Sequence, residues 1–316
     1  MAEQFEIEVE EEPLEDEVVE VFIDDEGVAS FGDEFDEDYA ISFGENIAEI
    51  LDESTRGELA SKITSYYHDD LDSRQDWYET FRDGLDLLGI KTNTRSEPFE
   101  GASGVYHPLL AEAVTHFQAQ TYRELLPAGG PVDTQVMGVT SDPKLEQANR
   151  VKNFMNYQLT YKMEEYDPEM DQMLFYLPLA GSAFKKSYYD PSVGRAVSRF
   201  VKAEDLVVPY TTNDLVTASR ITHVIRMTEN DVKKLQLSGF YRDVDMGSPS
   251  YIKQNDLQDK IDELEGIDRT GGDDEYTLLE VHGEFDLEGF EDKDENDEPT
   301  GLALPYIITV CLDTNE

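Results

Sequence analysis

Apolar residues along this chain recur first at helical spacing and later at strand spacing, and the change falls near residue 181. Across residues 56–89, Trp77, Phe81, Leu85 and Leu88 return every three or four positions, which aligns them on one buried stripe of a helix. Gly89 supplies a C-terminal stop. A Gly-rich turn over residues 100–104 leads to Pro108 and a helix running to about Leu126, with Leu109, Ala113, Phe117 and Leu125 as its core-facing positions. Pro127 and the Gly129-Gly130-Pro131 run end it. Asp142 and Pro143 read as the N-cap and first-turn residue of the next helix, which continues to about Tyr166, and another covers residues 168–179.

After Gly181 the period shortens. Residues 184–189 and 196–201 read as a hairpin around the turn Asp190-Pro191-Ser192-Val193-Gly194. Residues 206–208 and 221–226 supply further short strands. Thr228 caps a brief helix that stops at Gly239, with Asp231 three residues on as a carboxylate form of the capping box. Residues 243–274 are polar and read as loop or weak helix, and residues 276–285 and 306–312 pair as strands around an acidic tip. The pattern predicts an α+β fold, with a helical N-terminal half (55–180) packed against a small, mostly antiparallel β region (181–316).

Charge adds a boundary that periodicity does not show. The chain carries 71 acidic and 25 basic residues, a formal charge of -46, and residues 1–50 hold twenty Asp or Glu with no Lys or Arg before Arg56. So acidic a stretch repels itself and buries little, so residues 1–50 are expected to form a disordered arm ahead of a folded 51–316 unit. The arm reads either as a solvated leader or as an acidic bait for a basic partner. The overall charge opposes broad attraction to phosphate backbones, which argues against a DNA-reading domain. One cysteine, Cys311, permits no intrachain disulfide and no thiolate metal cluster. The longest apolar stretch, residues 302–312, is too short to cross a bilayer, so no membrane association is expected.

Catalytic signatures are mostly absent. The sequence has no phosphate-binding Gly-x-x-x-x-Gly-Lys loop, no His-Glu-x-x-His helix, no Gly-x-Ser-x-Gly elbow and no Cys-x-x-Cys pair. Gly101-Ala102-Ser103-Gly104 offers amides to an anion, but Glu97 and Glu100 crowd it with like charge, so a structural turn is expected. In the acidic tip, Asp292, Asp294 and Asn296 match the first ligands of a calcium loop, while Asp297 and Ala303 stand where Gly and Glu are needed. The histidines, His68, His107, His116, His223 and His282, have no ligand-like spacing. No catalytic, cofactor-binding or metal-binding residue is assigned, no cofactor is expected, and the protein is read as not an enzyme.

Two connected blocks carry a resemblance. The first contains Glu97-Pro98-Phe99-Glu100-Gly101-Ala102-Ser103-Gly104-Val105-Tyr106-His107-Pro108-Leu109-Leu110 and runs on to Arg123-Glu124-Leu125-Leu126-Pro127. The second begins at Gly181-Ser182-Ala183-Phe184-Lys185-Lys186, passes through the hairpin to Ala203-Glu204-Asp205-Leu206, and closes with Ala218-Ser219-Arg220-Ile221-Thr222-His223 and the capped helix. In order and spacing these pieces, over residues 95–245, resemble the N-terminal wing portion of bacteriophage portal proteins of the short-tailed-phage type.

That resemblance implies a portal wing-like fold and a structural, non-enzymatic role. Portal subunits form a homo-oligomeric ring, usually of about twelve copies, at one capsid vertex of the virion. The ring docks the terminase, the capsid or scaffolding protein and tail adaptors, and duplex DNA passes through it without tight binding. The same resemblance implies that the 316 residues are truncated before the stem and clip. The alternative is an acidic interaction protein that mimics DNA through its N-terminal arm.

Overall fold

A computed structural model describes residues 21–23, 29–31, 46–88, 99–101, 107–190, 193–247, 275–294 and 298–316. Three of the sequence expectations fall outside these: the Gly89 stop, most of the 100–104 turn, and most of the 243–274 segment. Of residues 1–50, expected to be a disordered arm, the described part is a small antiparallel pairing of β1 (Val21–Ile23) with β2 (Ala29–Phe31), then one 3-10 turn over Ile47–Glu49 capped by the Asn46 side chain. The rest of that expectation lies outside the described residues.

The fold is α+β, as the pattern predicts. Asp52 caps α1 (Glu53–Ser73) by accepting from the Thr55 amide, and α2 (Gln75–Leu87) follows after a single residue, Arg74. The sequence reads residues 56–89 as mostly helical without marking a break; Arg74, at φ -106 and ψ 18, lies outside helical geometry and separates the two helices. Phe81, Leu85 and Leu88 are buried as expected, together with Tyr78, while Trp77 is half-buried and donates from its indole to the Ala180 carbonyl at 2.8 Å.

Helix α3 (Leu109–Leu125) and helix α4 (Asp142–Tyr157) come next, with Ser141 rather than Asp142 at the N-cap position of α4. A π-helical turn, Gln158–Lys162, ends α4 short of the expected Tyr166, and α5 (Tyr166–Ala180) closes on Gly181 at φ 81, a left-handed position that favours glycine.

The strands pair as predicted. β3 (Phe184–Asp190) and β4 (Arg195–Val201) form the hairpin, in register from Phe184 opposite Val201 to Asp190 opposite Arg195. A separate antiparallel sheet has the order β5 (Leu206–Val207), β6 (Arg220–Thr228), β7 (Glu275–Phe285), β8 (Leu304–Cys311). Between β6 and β7 lies α6 (Glu229–Leu237); Thr228 accepts from the Asp231 amide and donates to its carboxylate, so the expected cap is formed.

Because strand residues alternate sides, the four-stranded sheet buries both faces. Val207, Val224, Leu279, Val281 and Val310 pack against Ala60, Ile63 and Tyr67 of α1, whereas Tyr276, Leu278 and Cys311 pack against Val232 of α6. A third cluster joins α2 to α5 through Phe81, Leu85, Ala180 and Ala203.

Candidate functional site

Two polar assemblies join the helical half to the sheet, and each combines residues of the quoted motifs with partners that the sequence reading did not single out. The first centres on Arg74. Its guanidinium donates to the carbonyls of Ala203 at 3.0 Å, Leu206 at 2.8 Å and Glu204 at 2.6 Å, and to the Tyr78 hydroxyl. One side chain thereby satisfies three of the four carbonyls of residues 203–206, the fourth, that of Asp205, accepting from the Val224 amide, and a guanidinium aimed at this turn accounts for the helix break. Glu204 is itself buried, and its carboxylate accepts from the Tyr176 hydroxyl at 2.9 Å. Burial, assisted by the neighbouring Asp205 charge, pushes its pKa up to about 7. Beside it Asp205 accepts from Arg226 at 3.1 Å, and Asp70 of α1 holds Arg220 of β6 by two bonds of 2.7 Å.

The second assembly lies on the α6 side of the sheet. Register places His223 opposite Glu280 and Ile221 opposite His282. Glu280 accepts from Lys186 of the hairpin and bonds His282 Nε2 at 2.7 Å. Burial alone would raise the Glu280 pKa, but the bonds from His282 and Lys186 outweigh it and hold the carboxyl down at about 2. Burial, then the Lys186 charge, lowers the pKa of His223. The adjacent Lys185 turns the other way, with its ammonium 3.9 Å from the centre of the Tyr166 ring in α5. The hairpin is thus tied both to α5 and to the sheet.

Two carboxylates, Glu165 at the N-cap of α5 and Glu169 within it, complete that tie. Glu165 accepts from Arg195 at 2.8 Å and from the Ser198 amide at 3.4 Å, and Glu169 accepts from the Phe200 amide at 2.6 Å. They cover amides on the outer edge of β4, where a bare strand edge invites wrong pairing. The Arg195 bond is the main reason the Glu165 pKa falls to about 2.

His68, His107 and His116 are exposed on helical elements or their approach, and only His223 and His282 come together. Among the described residues, no group of His, Cys, Asp and Glu is arranged to hold a metal ion. In the acidic tip, Asp292 accepts from the Thr300 hydroxyl and Asp294 from the Glu298 amide, so two of the calcium-like positions serve a turn. Residues 295–297, with the other positions weighed there, lie outside the described residues.

The α3 and α4 region departs most from expectation. Leu109, Ala113, Phe117 and Leu125, expected to face the core, are exposed, while Val114 is the buried residue of α3. Helix α3 instead meets α5 through polar groups: Gln118 donates to Asp171 at 2.8 Å and Tyr122 to Asp167 at 2.5 Å. Helix α4 buries no residue at all. Its half-buried side is Ala148, Lys152 and Asn156, which clamps the preceding segment: Asn156 accepts from the Val132 amide at 2.9 Å and donates to the Val132 carbonyl at 3.0 Å. Its exposed apolar residues include Val151, Phe154 and Tyr157, and the Tyr157 ring stacks at 5.8 Å on that of Tyr161 in the π-helical turn. An open groove along α3 is lined by His116, Ala119, Gln120, Arg123 and Glu124.

No protein-family model matches the chain, and no curated protein matches it in sequence. No helix among the described residues is long and apolar enough to cross a membrane.

Proposed function

We propose that the chain is the wing portion of a bacteriophage portal subunit, a structural component of the virion's portal vertex rather than an enzyme. The observation that carries the reading is the ordered set of short motifs across residues 95–245. The roles of the second block support it. Ala203, Glu204 and Leu206 present the carbonyls that Arg74 gathers, and Arg220 anchors the sheet to α1. The motif residues thus act as joints between elements, which suits a subunit whose use is its shape. On this reading the subunits form a homo-oligomeric ring of about twelve that meets the terminase, the capsid or scaffolding protein and tail adaptors, and the duplex passes through without tight binding.

Negative-stain electron microscopy of the full-length product, stem and clip included, tests the proposal. Rings with a central channel are the expected result, and a uniformly monomeric particle with no ring at any concentration overturns it.

A further inference from the structure

We infer that the bond between Lys186 of the hairpin and Glu280 of the four-stranded sheet is a joint that opens on acidification, with the His223 imidazole as the group that takes up the proton. The inference goes beyond the portal reading and stands or falls without it.

One carboxylate holds the joint. Glu280 Oε1 accepts from the Lys186 ammonium and bonds His282 Nε2 at 2.7 Å, and register sets His223 of β6 directly opposite Glu280. Side chains paired in this way lie about 5 Å apart at Cβ. Leu206 of β5 flanks His223 on its other side, and the His223 Nδ1 is buried without a hydrogen-bond partner. Among the described residues, the charged and titratable groups within reach of the imidazole are Lys186 from the hairpin, Glu280 and His282 from β7, and Asp205 ahead of β5. Asp205 is already committed to Arg226. The Tyr241 hydroxyl, beyond α6, senses the Glu280 charge but bonds Thr309 of β8. With both imidazoles neutral, Lys186 and Glu280 cancel. A proton on His223 sets a second cation against Lys186 around one carboxylate whose side chain is only 14% exposed, where water screens little.

The direction and the range follow. Burial, then the Lys186 charge, lowers the His223 pKa from 6.5, so the closed joint excludes a proton that an opened one accepts; its stability is full above pH 6.5 and is lost as pH falls below it. Glu280 and Glu165, both held at about 2, keep their charge through this range and are not the titrating groups. The hairpin therefore retains its Arg195 bond to Glu165 while Lys186 is driven off. Lys186 is the one cation of the cluster that the sheet does not carry, so its departure relieves the repulsion without breaking a strand ladder. Strand β4 stays on α5 through the Ser198 and Phe200 amides, which leaves β3 as the strand released. A two-stranded ribbon without a covering neighbour is marginal in water.

Hydrogen–deuterium exchange of the intact chain, read by mass spectrometry over Phe184–Asp190 and corrected for the intrinsic effect of pH, tests the joint. Between about pH 7.5 and about pH 5.5 wild type is expected to lose protection there several-fold, while His223→Gln, which cannot take the proton, keeps it. The two chains are compared at each pH, so charge changes common to both, the Glu204 proton included, cancel. Glu280→Gln is expected to show the faster exchange already at the higher pH. Should His223→Gln lose its circular dichroism spectrum, His223→Asn takes its place with the same expectation. Wild type and the His223 variant losing protection alike, or neither losing it, overturns the joint, and so does a Glu280→Gln chain as protected as wild type at the higher pH. Rings in the microscope, or their absence, bear on the portal reading alone.

Discussion

Asp70 in α1 and Arg220 at the start of β6, 150 positions apart, meet in a two-pronged ion pair with both bonds at 2.7 Å, and the guanidinium also lies 4.2 Å from the centre of the Tyr66 ring. Asp70 is 4% exposed, so its charge has little recourse to water when the partner is removed. Arg220→Ala is therefore expected to cost about 3–5 kcal/mol. Asp70→Leu combined with Arg220→Met, which removes both charges, is expected to cost much less. Chemical denaturation of the three proteins checks the order, and equal losses for the single and double variants would remove the argument.

Glu204 sets a pH dependence of the opposite sign to most carboxylates. Its folded-state pKa, about 7, lies above the ordinary value of 4.5, so the folded chain keeps a proton that the unfolded chain has released. Stability from this group is present below pH 4.5 and declines as pH rises toward 7, by on the order of 3 kcal/mol. Glu204→Gln keeps an acceptor for Tyr176 and carries no charge. The variant is expected to gain on wild type between pH 5 and 8, read as the difference between their thermal midpoints, about which the acidity common to both chains cancels.

Asn156 holds the segment before α4 much as a neighbouring strand would, accepting from and donating to Val132. Asn156→Ala is expected to cost about 1–2 kcal/mol of local order and to speed hydrogen exchange at the Val132 amide many-fold. The thermal midpoint should move little, because α4 buries no residue of the core. Gly130→Ala tests the same clamp from the other side: at φ 96 its new Cβ would stand 2.4 Å from Asn156 Oδ1.

Net charge makes a further expectation. With -46 overall, the chain should show no duplex-DNA affinity at physiological salt. A gel-shift midpoint below about a micromolar, which is tighter than ordinary non-specific binding, would contradict both this expectation and the idea of a conduit that does not grip its cargo.

Much of the fold was legible because local signals and tertiary outcome agreed. The pairing of residues 184–189 with 196–201, the Thr228 cap and the Gly239 stop each depend on chemistry within a few residues, and each is formed as the sequence predicts. The break at Arg74 left no such trace, since Ser73-Arg74-Gln75 contains neither Gly nor Pro and its cause lies 129 to 132 positions away in the carbonyls of Ala203, Glu204 and Leu206. The Lys186, Glu280 and His282 cluster was equally hidden, because it exists only once the hairpin lies against a sheet whose register puts His223 beside Glu280. Helix α3 misled for a different reason. Periodicity tells that Leu109, Ala113, Phe117 and Leu125 share one side of a helix, but an apolar stripe left on the surface has the same spacing as one meant for the chain's own interior.

Cys311 brings a practical benefit. The chain's only thiol lies beneath α6, 1% exposed, and burial raises its pKa further from the reactive thiolate form. In the native state it should ignore maleimides. A cysteine introduced at a surface position of α4 can then carry a dye or a spin label alone, without first stripping the natural sulfhydryl from the protein, and distances between labelled molecules become directly measurable.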